Sequence, residues 1–193
     1  RLIARAEKLK IGDPRDPSTE LGPAIDEKQL TTTLKYLDLG VSGMMIPQTS
    51  TPELVKDAIN AMRYAPAGLR GLAGGRTFDY GVGKPMPELI NTLNERVLSI
   101  AQFEHIDALP HLDAILATPG LDVLFVGPSD LGQSMGDGGQ YGVPEVEAVI
   151  QQVLDAAKDT NVALAIVAPD IATVNKRIAQ GFQMIVPNAP GLL

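Results

Sequence analysis

Two acidic residues follow separate apolar runs, at positions where parallel α/β folds usually bind their ligands. Glu104 ends the run over residues 97–104, and Gln102 lies two positions earlier, hence on the same face of a strand. Asp130 comes directly after the run over residues 121–128, in a Gly-Pro-Ser-Asp sequence. Two carboxylates at one edge of a sheet form half of an oxygen-rich site that Mg²⁺ or Mn²⁺ favours.

The sequence also allows a second interpretation of these carboxylates. Glu104 could cap a neighbouring helix, and Asp130 could be the N-cap of the segment that follows it. The turn before Asp130, formed by Gly127, Pro128 and Ser129, could direct backbone N–H groups at an anion such as a carboxylate.

Other chemistries find less support in the residue types. The chain has no cysteine, which excludes thiolate metal sites, disulfides and cysteine nucleophiles. No lysine falls at a predicted strand end, which disfavours a Schiff-base mechanism. His105 alternates away from Glu104 and is expected at a rim or on the surface, and His111 lies in a helical pattern. Three arginines could bind an anionic substrate or simply be solvated: Arg63, Arg70 and Arg76.

The elements that must position these residues alternate along the chain. Five β-rich runs are nearly continuous in apolar residues, which suits a sheet buried on both faces: 42–47, 97–104, 121–128, 162–168 and 183–187. Helical patterns lie between them, at about 52–62, 86–96, 107–117, 144–159 and 169–180. A short run around residues 69–72 is a candidate for an extra strand. The alternation predicts βαβ units and a parallel sheet in an α/β fold.

Composition excludes several classes of partner. The 193 residues carry a net charge of −7, so neither a nucleic acid nor an anionic membrane is an expected partner. Aromatic residues make up only 4%, without tryptophan, and no apolar run approaches the roughly 20 residues of a membrane span. No signal peptide is visible, and we expect a cytoplasmic protein.

Four segments in series resemble motifs of the HpcH/HpaI aldolase family, and the resemblance runs from about residue 33 to residue 193. They are LDLGVSGMMIPQTSTPE (37–53), RYAPAGLRG (63–71), AQFEHIDAL (101–109) and LDVLFVGPSDLGQSMG (121–136). Members of this family are metal-dependent class II pyruvate aldolases built on a TIM barrel. The resemblance therefore implies a lyase that cleaves 4-hydroxy-2-oxo acids or 2-keto-3-deoxy acids to pyruvate and an aldehyde.

The resemblance also implies roles for individual residues. Glu104 and Asp130 match the ligands of a divalent metal (Mg²⁺ or Mn²⁺, with Co²⁺ a further candidate), which would act as a Lewis acid on the keto acid. The keto-acid site would comprise Gln102, Ser129, Asp130 and Val167, with the backbone amides of Ser129 and Asp130 binding the carboxylate. Asp38 matches an acidic catalytic residue that reaches the site from a neighbouring subunit, which implies a homo-oligomer.

The N-terminal part departs from the family pattern. No residue before the LDLG motif matches the family's His–Asp pair or its substrate-binding arginine, so a catalytically impaired remnant that is truncated or chimeric is the alternative. Residues 8–30 resemble an aldehyde dehydrogenase segment, which predicts a helix-plus-loop arm over residues 1–30 and an aldolase-like domain over residues 31–193. A complete (β/α)₈ barrel needs about 250 residues. The remaining part of the chain therefore predicts an incomplete TIM barrel that contains only the later strands. Because the chain begins at Arg1 rather than Met, a fragment is a further interpretation.

Overall fold

The computed structural model describes residues 41–72 and 75–187, which belong to one compact unit of the chain. The predicted arm over residues 1–30, its boundary with residues 31–193, and Asp38 lie outside the described residues.

Five parallel strands form one curled half-barrel sheet, in the order in which they occur along the chain. They are β1 (Gly43–Ile46), β2 (Leu98–Phe103), β3 (Val123–Val126), β4 (Ala163–Ala168) and β5 (Met184–Pro187). Each strand pairs in parallel with the next, so the carboxyl ends of all five lie at the same edge. The five predicted strands and their parallel arrangement are confirmed.

Helices and short 3₁₀ turns connect the strands. The helices are α1 (Pro52–Met62), α2 (Met86–Arg96), α3 (Leu112–Leu116), α4 (Pro128–Met135), α5 (Pro144–Ala157) and α6 (Ile171–Gln180), and the 3₁₀ helices are Arg76–Gly81 and Ile106–His111. Helix α1 begins where the sequence predicts, because the Thr51 hydroxyl accepts the Leu54 N–H and Pro52 occupies the first helical position. Glycines in the left-handed conformation end α4 and α6, with φ of 90° at Gly136 and 103° at Gly181.

Two of the sequence predictions for these connections are wrong. The candidate strand at residues 69–72 is a loop, because the N–H groups of Leu69 and Arg70 donate to carbonyls of Asn60 and Arg63 at the end of α1. The single helix predicted at about 107–117 is divided into a 3₁₀ helix and α3. Pro110 lies inside the 3₁₀ segment, and a proline cannot donate the backbone bond that a continuous α-helix needs.

Both faces of the central strands are buried, as the apolar runs predict. Alternate residues such as Phe103 and Val126 enter the larger core beneath the helices, and both are fully buried. The residues between them form a smaller cluster on the opposite face, which includes Ile100 and Phe125 and against which Val167 packs. Gln102 shares this second face with Ile100, so the fold carries its amide toward the carboxyl edge of the inner surface.

Candidate active site at the carboxyl edge of the sheet

Glu104 is the residue immediately after β2, and its side chain is held by the end of the neighbouring strand. Only 8% of the residue is exposed. Its Oε1 accepts the main-chain N–H of Gln48, two residues beyond β1, at 2.7 Å. Glu104 is therefore a buried carboxylate fixed at one oxygen, and the end of β1 provides the donor.

Asp130 reaches the same edge from the first turn of α4. The Gly127 N–H donates to the Phe103 carbonyl at 3.0 Å, which ties the start of α4 to the end of β2 directly before Glu104. Gly127 is the N-cap and Pro128 the first helical residue, so Asp130 lies inside the first turn rather than at the cap. The capping interpretation is therefore wrong for Asp130, and the partner of Glu104 is a loop N–H that belongs to no helix.

The charges at this edge act on one another. Burial raises the pKa of Glu104, and the charge of Asp130 raises it further, while the hydrogen bonds from Gln48 and Gln102 only partly offset these effects. A divalent cation beside both carboxylates would replace this repulsion with attraction, and Mg²⁺ is commonly held by one or two carboxylates plus water or substrate oxygens. In residues 41–72 and 75–187, no group of three or more His, Asp or Glu side chains could hold a metal alone. The donor set thus fits a cation that retains positions for other oxygen ligands.

Gly127 is predicted as part of an anion-binding turn, but the sequence pattern does not show how closely it approaches Gln102 and Glu104. A Cβ at this position would lie 3.1 Å from Glu104 Cβ, 3.2 Å from Gln102 Nε2 and 3.5 Å from Glu104 Oε2. The backbone of α4 therefore approaches the Gln102 and Glu104 side chains more closely than any larger residue would allow. The Gly-Pro dipeptide in the sequence is the signal that could have indicated this approach.

The residues predicted for the keto-acid site lie on three elements at this edge, with Gln102 on β2, Val167 on β4, and both Ser129 and Asp130 on α4. Gln102 is half-buried on β2, and its main-chain carbonyl accepts a hydrogen bond from the Thr49 hydroxyl at 3.1 Å. Ser129 is exposed on the first turn of α4, where backbone N–H groups have no partner within the helix. Val167 is half-buried on β4, two strands away from Gln102, and its carbonyl accepts the Tyr141 hydroxyl at 3.1 Å.

A cavity of about 370 Å³ opens beside the two carboxylates. It is lined by Gln48, Glu104, His105, Asp130, Gln133 and Ser134. The rim position predicted for His105 is confirmed, since its side chain is 48% exposed and its Nδ1 accepts the Asp107 N–H at 3.2 Å. Gln48, Gln133 and Ser134 were not predicted from the sequence, because loop and helix residues of this kind acquire their proximity only from the tertiary fold.

The arginines considered as anion-binding residues have other roles where their side chains are described. Arg63 pairs with Asp122 at 2.6 Å, and Asp122 precedes β3, at the opposite edge of the sheet. The Arg70 guanidinium lies 4.5 Å from the centroid of the Tyr64 ring. Neither residue lines the cavity beside Glu104.

Comparisons with known proteins agree with this architecture. The sequence profile of the HpcH/HpaI aldolase/citrate lyase family matches residues 23–187. A hydroxypyruvate/pyruvate aldolase of Chromohalobacter salexigens is 36% identical over 78% of this chain and 59% of its own length. A 4-hydroxy-2-oxovalerate aldolase of Rhodococcus jostii is 32% identical over 78% of this chain and 58% of its own. The crystal structure of an HpcH/HpaI aldolase from Desulfitobacterium hafniense superposes with a TM-score of 0.78 at 29% identity, over 86% of this chain and 63% of the other.

The chain thus spans somewhat less than two thirds of the length of these relatives. The family match begins at residue 23 and so includes part of the segment interpreted as dehydrogenase-like. The comparisons give that interpretation no support. None of the helices in the described part of the chain is long and apolar enough to cross a membrane. The matched profile, the aldolase relatives and the shared fold together show that the chain belongs to the HpcH/HpaI aldolase/citrate lyase family.

Proposed function

We propose that the chain acts as a divalent-metal-dependent aldolase that cleaves 4-hydroxy-2-oxo acids or 2-keto-3-deoxy acids to pyruvate and an aldehyde. The observation that carries this proposal is the meeting of Glu104 and Asp130 beside one cavity, at the carboxyl edge of a parallel sheet. Family membership supports the reaction class, since the matched relatives are named as aldolases.

Glu104 and Asp130 would hold the cation, with Mg²⁺ or Mn²⁺ expected and Co²⁺ a further candidate. When bound, the metal supplies Lewis acidity that stabilises the negative charge developing on the keto acid during carbon–carbon cleavage. The buried Glu104 carboxylate, destabilised by its surroundings and by the charge of Asp130, supplies the negative potential for a cation.

The remaining residues would bind and orient the keto acid. The N–H groups of Ser129 and Asp130, on the first turn of α4, would donate to its carboxylate, and the positive end of the helix dipole favours an anion there. Gln102 would donate from its amide, and Val167 would provide an apolar surface. We also propose that Asp38 contributes from a neighbouring subunit, which makes the active form a homo-oligomer.

The alternative proposal is a catalytically impaired protein that retains metal and keto-acid binding. One observation favours it: His105 and His111 are the only histidines in the chain, and the Nδ1 atom of His105 already accepts a hydrogen bond. Among the described residues that line the cavity, His105 is therefore the one histidine, and its Nδ1 is not free to take a proton from the keto acid.

We further propose, as a finer statement of the fold, that the five strands are the later part of a TIM barrel and that residues 1–30 form a separate arm. The parallel order of the strands supports the first statement, because a complete barrel of this type has eight. Limited proteolysis tests the second, with preferred cleavage expected near residues 30 and 31. Resistance throughout this region would argue against an arm.

The experiment that separates the two functional proposals measures pyruvate release and Mn²⁺ binding in the same preparations. Purified protein loaded with Mn²⁺ is assayed with 4-hydroxy-2-oxovalerate and with a 2-keto-3-deoxy sugar acid, before and after EDTA. The aldolase is supported if the protein turns over a substrate and if both EDTA and Glu104→Ala abolish this turnover. The control is Glu145→Gln, a substitution of an exposed residue that should keep the activity. Mn²⁺ binding without turnover supports the impaired protein, and the absence of both overturns both proposals.

A further inference from the structure

Gln48 has a backbone conformation that L-amino acids rarely adopt. Its φ is 55°, and among the described residues only Tyr80, with a φ of 53°, shares this property without being a glycine. Such left-handed conformations favour glycine and asparagine, and they cost more for β-branched side chains. A glutamine maintained in this region points to a local requirement for that backbone direction.

The backbone direction of Gln48 serves contacts with the end of β2. In this conformation the Gln48 N–H donates to Glu104 Oε1 at 2.7 Å. The next residue, Thr49, is 2% exposed and donates its hydroxyl to the Gln102 carbonyl at 3.1 Å. Two successive residues therefore connect the loop after β1 to the end of β2: Gln48 bonds to the Glu104 side chain, and Thr49 bonds to the Gln102 backbone.

The second oxygen of Glu104 lies on the opposite side of the carboxylate. Oε2 is 3.5 Å from where a Cβ of Gly127 would be, and Gly127 begins the helix that carries Asp130. We infer that Gln48 is a positioning residue, whose main-chain N–H in the left-handed conformation holds Oε1 and leaves Oε2 directed toward the start of α4 for a shared cation. This inference rests on the proposed metal-dependent function, and it assigns the effect to the backbone of Gln48 rather than to its amide side chain.

Substitutions at Gln48 can separate the backbone from the side chain. Gln48→Gly and Gln48→Asn tolerate a positive φ and keep the N–H, so we expect their Mn²⁺ dissociation constants, measured by calorimetry, within about threefold of wild type. Gln48→Val keeps the N–H but disfavours this conformation, and we expect a weakening of about tenfold or more, as for other residues that orient metal ligands. The Mn²⁺ dissociation constant of Gln48→Ala should lie between those of Gln48→Gly and Gln48→Val, because alanine adopts a positive φ at a smaller cost than valine.

Tyr80→Val is the matched control, because it places the same β-branched residue at a similar φ on a residue that is 77% exposed and outside the cavity. Its Mn²⁺ affinity should equal that of wild type. Thermal unfolding of every variant checks folding. If Gln48→Val does not fold, the Mn²⁺ affinities of Gln48→Gly, Gln48→Asn and Gln48→Ala test the inference, and Gln48→Ala is expected to bind most weakly of the three.

Three results would overturn the inference. Equal affinities in all folded variants would show that Gln48 does not position Glu104. A loss in Gln48→Gly as large as that in Gln48→Val would assign the effect to the amide side chain. If the wild-type chain binds no Mn²⁺, the proposed function fails as well, whereas wild-type binding combined with either of the first two results removes only this inference.

Discussion

Replacing Gly127 by alanine should disturb the candidate metal site without straining the backbone. The φ of Gly127 is −102°, which any residue can adopt, so the effect comes from the added methyl group alone. That methyl would lie 3.1 Å from Glu104 Cβ and 3.2 Å from Gln102 Nε2. Both distances are several tenths of an ångström shorter than an ordinary contact. The Gln102 amide can move aside, but Glu104 Cβ lies close to the backbone of β2 and cannot.

The expected cost is about 1–2 kcal/mol of unfolding free energy, within the range for adding a methyl to a packed interior. Because α4 must move away from Glu104 to relieve the contact, the two carboxylates separate. We expect Mn²⁺ affinity to fall by about tenfold, as for other changes that disturb ligand orientation. Urea unfolding gives the first quantity, and calorimetric titration with Mn²⁺ gives the second.

The matched control is Gly136→Ala, at the other end of the same helix. Gly136 has a φ of 90°, and a Cβ there would meet nothing within 4 Å. This substitution should cost about 1 kcal/mol through backbone strain alone and leave Mn²⁺ affinity unchanged. Wild-type affinity in a folded Gly127→Ala protein, or an equal loss in Gly136→Ala, would show that close packing at Gly127 does not hold the two carboxylates together.

Three further predictions concern the stability of the metal-free protein. Burial and the charge of Asp130 raise the pKa of Glu104 above its ordinary value of 4.5. The ionised side chain therefore destabilises the folded state, and this penalty is complete above the raised pKa. The penalty disappears as the pH falls to 4.5, because the side chain is then protonated in the folded state. Glu104→Gln should therefore raise Tm at neutral pH, with a gain that shrinks on acidification; an unchanged or growing gain would contradict this explanation. Tyr141→Phe removes the hydrogen bond to the Val167 carbonyl and the two that the Tyr141 hydroxyl accepts from the buried Arg177 guanidinium. It should cost about 2 kcal/mol in urea unfolding, and a neutral result would mean that these three bonds together add nothing. Arg63→Met removes the ion pair with the half-buried Asp122, which keeps the Ser99 N–H, and also the hydrogen bonds from Arg63 to the Asn94 and Gly120 carbonyls. It should cost about 2 kcal/mol by the same measurement, and a cost below about 0.5 kcal/mol would mean that these contacts add no more than an ordinary surface ion pair.

Those parts of the fold that depend on local pattern could be predicted from the sequence. Long apolar runs identify the five strands, because a parallel sheet covered on both faces needs continuous apolar segments. Their alternation with helices then places Glu104 and Asp130 at one edge of the sheet. The proposed roles of these residues as metal ligands depend on the family resemblance as well, since a carboxylate at a strand end has several possible uses.

Features that arise from the tertiary fold could not be predicted in this way. The left-handed conformation of Gln48 is visible only once the loop after β1 is placed against Glu104. The steric need for Gly127 depends on how closely α4 approaches β2. The exposed loop at Leu69 has the apolar run of a strand, and such a run alone does not distinguish a strand from a loop held by the end of a helix.

A double-mutant cycle of Mn²⁺ binding, measured by calorimetry, decides whether Glu104 and Asp130 bind one divalent cation together. The variants are Glu104→Gln, Asp130→Asn and the pair combined, each checked for folding. If one cation uses both carboxylates, wild type binds a single Mn²⁺, each single variant loses most of the affinity, and the double variant is hardly worse than either. Wild-type affinity in folded Asp130→Asn, or independent and additive losses in the cycle, would contradict a shared site.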